Sequence, residues 1–198
     1  MRDDTLRTRI LDEAVALVAG GGTGALTTRA VAAAAETSLP AIHELFGGKA
    51  GLARAISAEG FTRLHAALAA VPTTGDARHD VLDAALAFRD FATRNPHLFE
   101  VMFSRPIAEL GPTPEEQQSA AGVHRAVTER VDALLGRSAP PAERKDAAIG
   151  LFGLVRGLAE LELAGILGSG PASVERRWRT SVAAFVRGLA SAAAEDAP

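Results

Sequence analysis

No stretch of this 198-residue chain alternates polar and apolar residues at period two for long enough to build a strand. Apolar residues recur three and four positions apart along almost all of it, and glycine and proline punctuate that rhythm. Each apolar stripe must be buried against another stripe, so the chain packs helix on helix. The fold class is all-α, with about nine helices.

The first helix is expected from about Asp4 to Ala19, with Leu6, Ile10, Ala14, Leu17 and Val18 on one face, ending at Gly20-Gly21-Gly22. Thr27 caps a short helix from Thr28 to about Ala35, its hydroxyl accepting from the free amide of Arg29 or Ala30. Ser38 caps another, through about Leu45, with Pro40 tolerated in its first turn. Gly47-Gly48 breaks the chain before a long helix from Lys49 to about Ala70. Val71-Pro72-Thr73-Thr74-Gly75 is the expected hinge. Further helices are expected at Ala77–Arg94, Pro96–Ser104, Pro114–Gly136, Pro141–Leu167 and Pro171–Ala194, with Gly111-Pro112 among the breaks between them. The organisation is then a domain over residues 1–52, running on into a linking helix at 49–70, and a larger helical domain over 76–198.

Composition removes several function classes. Hydrophobic residues make up 47% and charged ones 23%, so the chain can fill a core. The absence of cysteine excludes disulfide scaffolds, thiolate zinc sites and cysteine nucleophiles. No apolar run reaches the roughly 18 residues of a membrane span, and the charged start is not a signal peptide; the expectation is a soluble cytoplasmic protein with no membrane partner. His65, His79, His97 and His124 fall on different helices without ligand spacing, so no metal and no cofactor are expected. Gly20-Gly21-Gly22 follows a helix and precedes no Lys-Ser/Thr pair, so it is no phosphate loop. With no Tyr or Cys and no paired carboxylates beside a base, an enzyme is not expected.

The segment Leu26–Phe46 carries the first functional signal. Two short helices are separated by Glu36-Thr37-Ser38, and Val31, Ala34, Ile42 and Phe46 are spaced to pack the pair onto the first helix. This leaves one face of the second short helix free, as in a helix-turn-helix whose exposed helix enters the major groove. Spacing alone equally describes an ordinary helical hairpin.

The runs Leu26-Thr27-Thr28-Arg29-Ala30-Val31-Ala32 and Glu44-Leu45-Phe46-Gly47-Gly48-Lys49-Ala50-Gly51-Leu52, with Ile10-Leu11, Gly22 and Ser38 in register, resemble the N-terminal DNA-binding domain of the TetR/AcrR family of transcriptional regulators. Phe91–Phe99 and Gly157–Leu163 resemble, more loosely, a common variety of that family's C-terminal ligand and dimerisation domain. The resemblance implies a double-stranded operator as partner. Thr28 and Arg29 would face phosphate, and Leu39, Pro40, Ala41 and His43 would lie on the exposed side of the recognition helix. Lys49 would hold a phosphate at the next helix's N-terminus, where free amides and the helix dipole favour an anion. Two departures stand out: Glu36 replaces the usual turn glycine, and His43 the usual tyrosine. Residues 1–65 hold seven basic and seven acidic side chains, so affinity rests on a few placed groups: Arg29, His43 and Lys49, with Arg2 and Arg7 as further candidates.

In the larger domain, Phe88, Phe91, Phe99, Met102 and Phe103 fall within sixteen residues at helical spacing. They would wall a cavity for a small apolar effector, with Val123, Val127, Phe152 and Val155 on its far side and His124 as a polar contact. Plain core packing is the alternative for each of them, and the other polar candidates in the region are His97, Arg105, Arg125 and Arg156. Leu151, Leu154, Leu158 and Leu161, with Trp178, Val182, Phe185 and Leu189, form two further stripes, and Gly150, Gly153, Gly157 and Gly165 permit close helix approach. The resemblance makes these stripes the homodimer interface, a four-helix bundle about a twofold axis; otherwise they close the chain's own core. The implied function is a ligand-responsive homodimeric repressor with two recognition helices about 34 Å apart on a palindromic operator. A helical carrier of hydrophobic ligands, its helix-turn-helix inactive, is the alternative.

Overall fold

The computed structural model describes residues 2–103, 113–136, 139–168 and 170–195. Among them the elements are α1 (Arg2–Ala25), α2 (Thr28–Ala34), α3 (Leu39–Phe46), α4 (Lys49–Ala69), α5 (Ala77–Arg94), α6 (Pro96–Met102), α7 (Pro114–Leu135), α8 (Pro141–Leu163) and α9 (Pro171–Glu195), with no strand. None of these helices is long and apolar enough to cross a membrane.

Two helix ends differ markedly from expectation. α1 does not stop at Ala19: Gly20 and Gly21 remain helical, and only Gly22, at φ 68°, leaves the helix before it resumes to Ala25. α8 stops at Leu163 rather than Leu167 because Gly165, at φ 72°, closes it. The Gly165 amide donates to the Glu162 carbonyl and the Ile166 amide to the Leu161 carbonyl, the paired bonds of a left-handed helix cap. Gly165 therefore serves the cap, and three glycines rather than four lie inside α8. The expected end of α6 at Ser104, the Gly111-Pro112 break and Arg105 lie outside the described residues.

The chain forms two compact units. The first comprises Met1–Arg63 and Asn95–Ala120; the second comprises Leu64–Arg94 and Ala121–Pro198. The division falls within α4 and α7, not at Val71–Gly75, and α6 groups with the N-terminal helices. The expected hinge is fastened inside the second unit. Arg130 donates to the carbonyls of Leu68 and Val71, and the Asp80 carboxylate accepts from both the amide and the hydroxyl of Thr74. These contacts hold the Asp80 carboxyl below its ordinary range, chiefly through the Thr74 amide.

In the first unit Ile10 and Val18 of α1, Val31 of α2, Ile42 of α3, and Leu52 and Ile56 of α4 are fully buried. α6 lies along α1, with His97 over Gly22. It also lies so close to α4 that a Cβ at Gly60 would sit 2.6 Å from Met102. In the second unit the buried centre is Val81 and Phe88 of α5, Val123 and Val131 of α7, and Trp178 and Val182 of α9.

Candidate functional site

The two short helices begin where their capping residues place them. The Thr27 hydroxyl accepts from the Ala30 amide at 3.1 Å, and the Ser38 hydroxyl from the Ala41 amide at 3.3 Å. The turn between them needs a left-handed residue, and Glu36 supplies it at φ 47°. A side chain with a Cβ pays about 1 kcal/mol in that region relative to glycine. Glu36→Gly is therefore expected to stabilise the first unit by about 1 kcal/mol in urea unfolding, with DNA affinity unchanged.

α3 is anchored by two side chains and otherwise faces out. Ile42 is fully buried and Phe46 nearly so, while Leu39, Pro40, His43 and Glu44 are exposed and Ala41 is half-buried. The Arg7 guanidinium lies 5.2 Å above the Phe46 ring, a cation–π contact that fastens α3 to α1. The Arg2 side chain lies outside the described part of the chain. At the start of α2, Arg29 is exposed and Thr28 half-buried.

The turn into α4 explains the run Phe46–Leu52. Gly47 and Gly48 lie at φ 71° and 94°, a conformation open to glycine. The His43 ring rests over this turn: a Cβ at Gly48 would lie 3.1 Å from its Cε1. Gly51 meets a harder limit, because a Cβ there would fall 1.5 Å from the Phe46 carbonyl oxygen. Leu52 is fully buried, and Lys49 stands exposed at the helix N-terminus. α2, α3 and the start of α4 thus present Arg29, Leu39, Pro40, His43 and Lys49, with the acidic Glu44 among them.

The expected effector residues divide between the two units. Phe99, Met102 and Phe103 belong to the first, where Phe103 packs on Phe99 at 4.8 Å and edge-on to Phe61 at 5.5 Å. Phe88, Phe91, Val123, Val127, Phe152 and Val155 belong to the second, where Phe88 and Phe152 meet edge-on at 6.1 Å. The sixteen-residue stretch is thus divided between the two units at Asn95-Pro96. A small cavity of ≈ 20 Å³ in the second unit is lined by Leu68, Val81, Phe88, Val127, Leu151 and Val155, among others, and by one charged side chain, Arg130. His124 is exposed and bonded to the Thr128 hydroxyl at 3.2 Å, and does not line this cavity. Arg130 is missing from the sequence expectation although its signal was present: it occupies an apolar-face position three after Val127 and seven after Val123.

The two leucine-rich stripes lie largely within the chain itself. Trp178 and Val182 are fully buried, and Leu151 and Leu158 are buried as well, so these four serve the second unit's own core. Leu154, Phe185 and Leu189 are half-buried, and Leu161 is 39% exposed. Gly150 gives its space to the Phe185 ring, which would lie 3.2 Å from a Cβ at that position, whereas Gly153 and Gly157 face open space. Trp178 instead reveals a part-buried polar junction. Its indole N–H donates to Glu162 Oε2 at 2.7 Å, and Arg89 grips both Glu162 oxygens at 2.8 Å, joining α5, α8 and α9. Burial works to raise the Glu162 carboxyl, but the bonds from Arg89 and Trp178 together outweigh it and hold it below its ordinary value.

Comparison with known proteins bears on both units. Residues 10–56 match the profile of bacterial regulatory proteins of the tetR family, and residues 81–185 match the tetracyclin repressor-like C-terminal domain. No curated protein matches the chain. Among solved structures, a protein of unknown function from Rhodococcus sp. RHA1 is 25% identical, with a TM-score of 0.78 over 93% of this chain and 95% of its own. ActR from Streptomyces coelicolor, in its apo form, is 16% identical with a TM-score of 0.69 over 96% and 97%. A TetR variant from Acinetobacter baumannii in complex with minocycline is 17% identical with a TM-score of 0.67 over 92% and 94%. With a helix-turn-helix capped at Thr27 and Ser38 and profiles matched in both halves, the chain belongs to the TetR family of DNA-binding transcriptional regulators.

Proposed function

We propose that the protein is a homodimeric repressor that leaves a palindromic operator when a small, largely apolar effector binds in the second unit. The observation that carries the DNA reading is the two-sided character of α3. Ile42 and Phe46 hold it to the unit, while Leu39, Pro40 and His43 are exposed, His43 with its ring over the Gly47-Gly48 turn. Helix N-termini bearing Arg29 and Lys49 suit phosphates on either side of a groove.

Fluorescence anisotropy with the intergenic DNA upstream of the protein's own gene tests this reading. Lys49→Ala is expected to weaken all duplexes alike by about tenfold, whereas His43→Ala also reduces the preference for operator over random DNA. Equal losses on both duplexes in the His43 variant would remove His43 from base readout. Because the first 65 residues are charge-balanced, the log–log salt slope is expected to be no steeper than about −6 per dimer.

The dimer reading draws on the outer faces of α8 and α9. Ile149 is 53% exposed, Gly153 and Gly157 have open space beside them, and Leu154, Leu161, Phe185 and Leu189 retain exposed surface. A helix of a second copy fits against such a glycine-thinned face. Gly153→Leu fills it and is expected to raise the dimer dissociation constant at least about tenfold in sedimentation equilibrium. An unchanged constant would move the interface elsewhere.

A further inference from the structure

One of the side chains lining the cavity of the second unit is a cation with an unmet hydrogen bond. Arg130 is only 8% exposed. Its Nη1 donates to the Ala126 carbonyl at 3.0 Å, and its Nη2 to the carbonyls of Leu68 at 3.0 Å and Val71 at 3.2 Å. Its Nε has no partner. Neutral carbonyls thus take up part of the guanidinium, and no carboxylate forms an ion pair with it among the described residues. Asp80 Oδ1 instead accepts from the amide and hydroxyl of Thr74. The remaining walls near Arg130 are apolar, including Val81, Phe88, Val127, Leu151 and Val155.

A buried guanidinium edge beside an apolar wall is matched by a planar anion on an apolar body. We propose that the effector of this protein is an amphiphilic carboxylate: its carboxylate accepts from Arg130 Nε, and its hydrocarbon lies against Phe88, Leu151 and Val155. This rests on the effector reading above and names the chemical class. The cavity as it stands, ≈ 20 Å³, holds about one water molecule, so the ligand must part the walls to enter. Arg130 also gives this ligand a lever. Of the carbonyls that its Nη2 holds, Leu68 lies in the last turn of α4, the helix that begins at Lys49, and Val71 two residues beyond its end. A carboxylate that draws the guanidinium toward itself weakens the hold on that end.

The test is calorimetric titration of the full chain with octanoate, dodecanoate and phenylpropanoate, each against its primary amide, with operator anisotropy measured alongside. The carboxylates are expected to bind at least about tenfold more tightly than their amides. Arg130→Met, which retains the apolar stem, is expected to erase that preference while amide binding survives. Should that variant fail to fold, Arg130→Lys, which lacks the Nε–H, is expected to shrink the preference. Acid and amide binding equally to the wild type would overturn the carboxylate assignment and leave the effector reading standing. Binding by none of them would overturn the carboxylate assignment. Carboxylate-selective binding that leaves operator affinity unchanged would support the site and overturn the effector reading.

Discussion

Gly51→Ala is expected to reduce duplex-DNA binding by more than about a hundredfold and to destabilise the first unit by about 3 kcal/mol. Alanine ordinarily strengthens a helix relative to glycine, by about 1 kcal/mol, so the sign here is set by packing. A Cβ at position 51 would lie 1.5 Å from the Phe46 carbonyl oxygen and 2.7 Å from its carbonyl carbon. Both atoms are backbone, and no rotamer change relieves the clash. The end of α3 must lift away from α4, taking with it Phe46 and its contact with Arg7. The exposed residues of α3 and Lys49 then lose their mutual geometry, which DNA recognition requires fixed. Circular dichroism with urea unfolding, together with anisotropy, measures both effects. An alanine variant that binds DNA as the wild type does would mean that the α3–α4 junction is looser than this packing demands.

The second large effect is expected at Glu162. Glu162→Ala leaves the Arg89 guanidinium and the buried Trp178 N–H without their shared acceptor, at a cost of about 3 kcal/mol. The loss combines an unpaired cation with an unpaired donor beside a fully buried indole, and it falls where α5, α8 and α9 meet. Glu162→Gln keeps an acceptor for one partner and is expected to cost less. The charge adds a pH dependence. The carboxyl is held below its ordinary 4.5 in the folded chain. Its contribution is therefore full above that value and is lost as pH falls through the lowered one. Asp80, lowered from 3.8, acts with the same sign. Urea midpoints should fall between about pH 6 and about pH 3 in the wild type, and fall less in Glu162→Gln. Tryptophan fluorescence reports the transition directly, since Trp178 is the one tryptophan of the chain.

Local chemistry made much of the fold legible. Prolines at the first position of α6, α7, α8 and α9 marked those starts, and Thr27 and Ser38 marked α2 and α3. Glycine was less informative, because its identity does not say whether it bends the chain. Gly20 and Gly21 stay helical, Gly22 breaks, and Gly51 serves a close approach invisible without its neighbour. The candidate DNA face was readable from the register of Ile42 and Phe46, which decides what remains outside. The second unit was harder, since a stripe of leucines reads the same whether another helix of the chain or a second copy covers it. Trp178 and Val182 proved to be covered by their own chain. Long-range polar contacts left the weakest trace: Arg130 and Glu162 acquire meaning only when Leu68, Val71, Arg89 and Trp178 arrive from distant parts of the sequence.

On the proposed function, α3 is displayed in two copies to duplex DNA. Hydroxyl-radical footprinting of the upstream DNA, with the complex sized by sedimentation, tests it most directly. Two chains per duplex are expected, with two protected patches one helical turn apart, about 34 Å, both lost in a variant carrying Leu39→Glu and His43→Glu. A single chain on the DNA, or protection that survives those two changes, would contradict it.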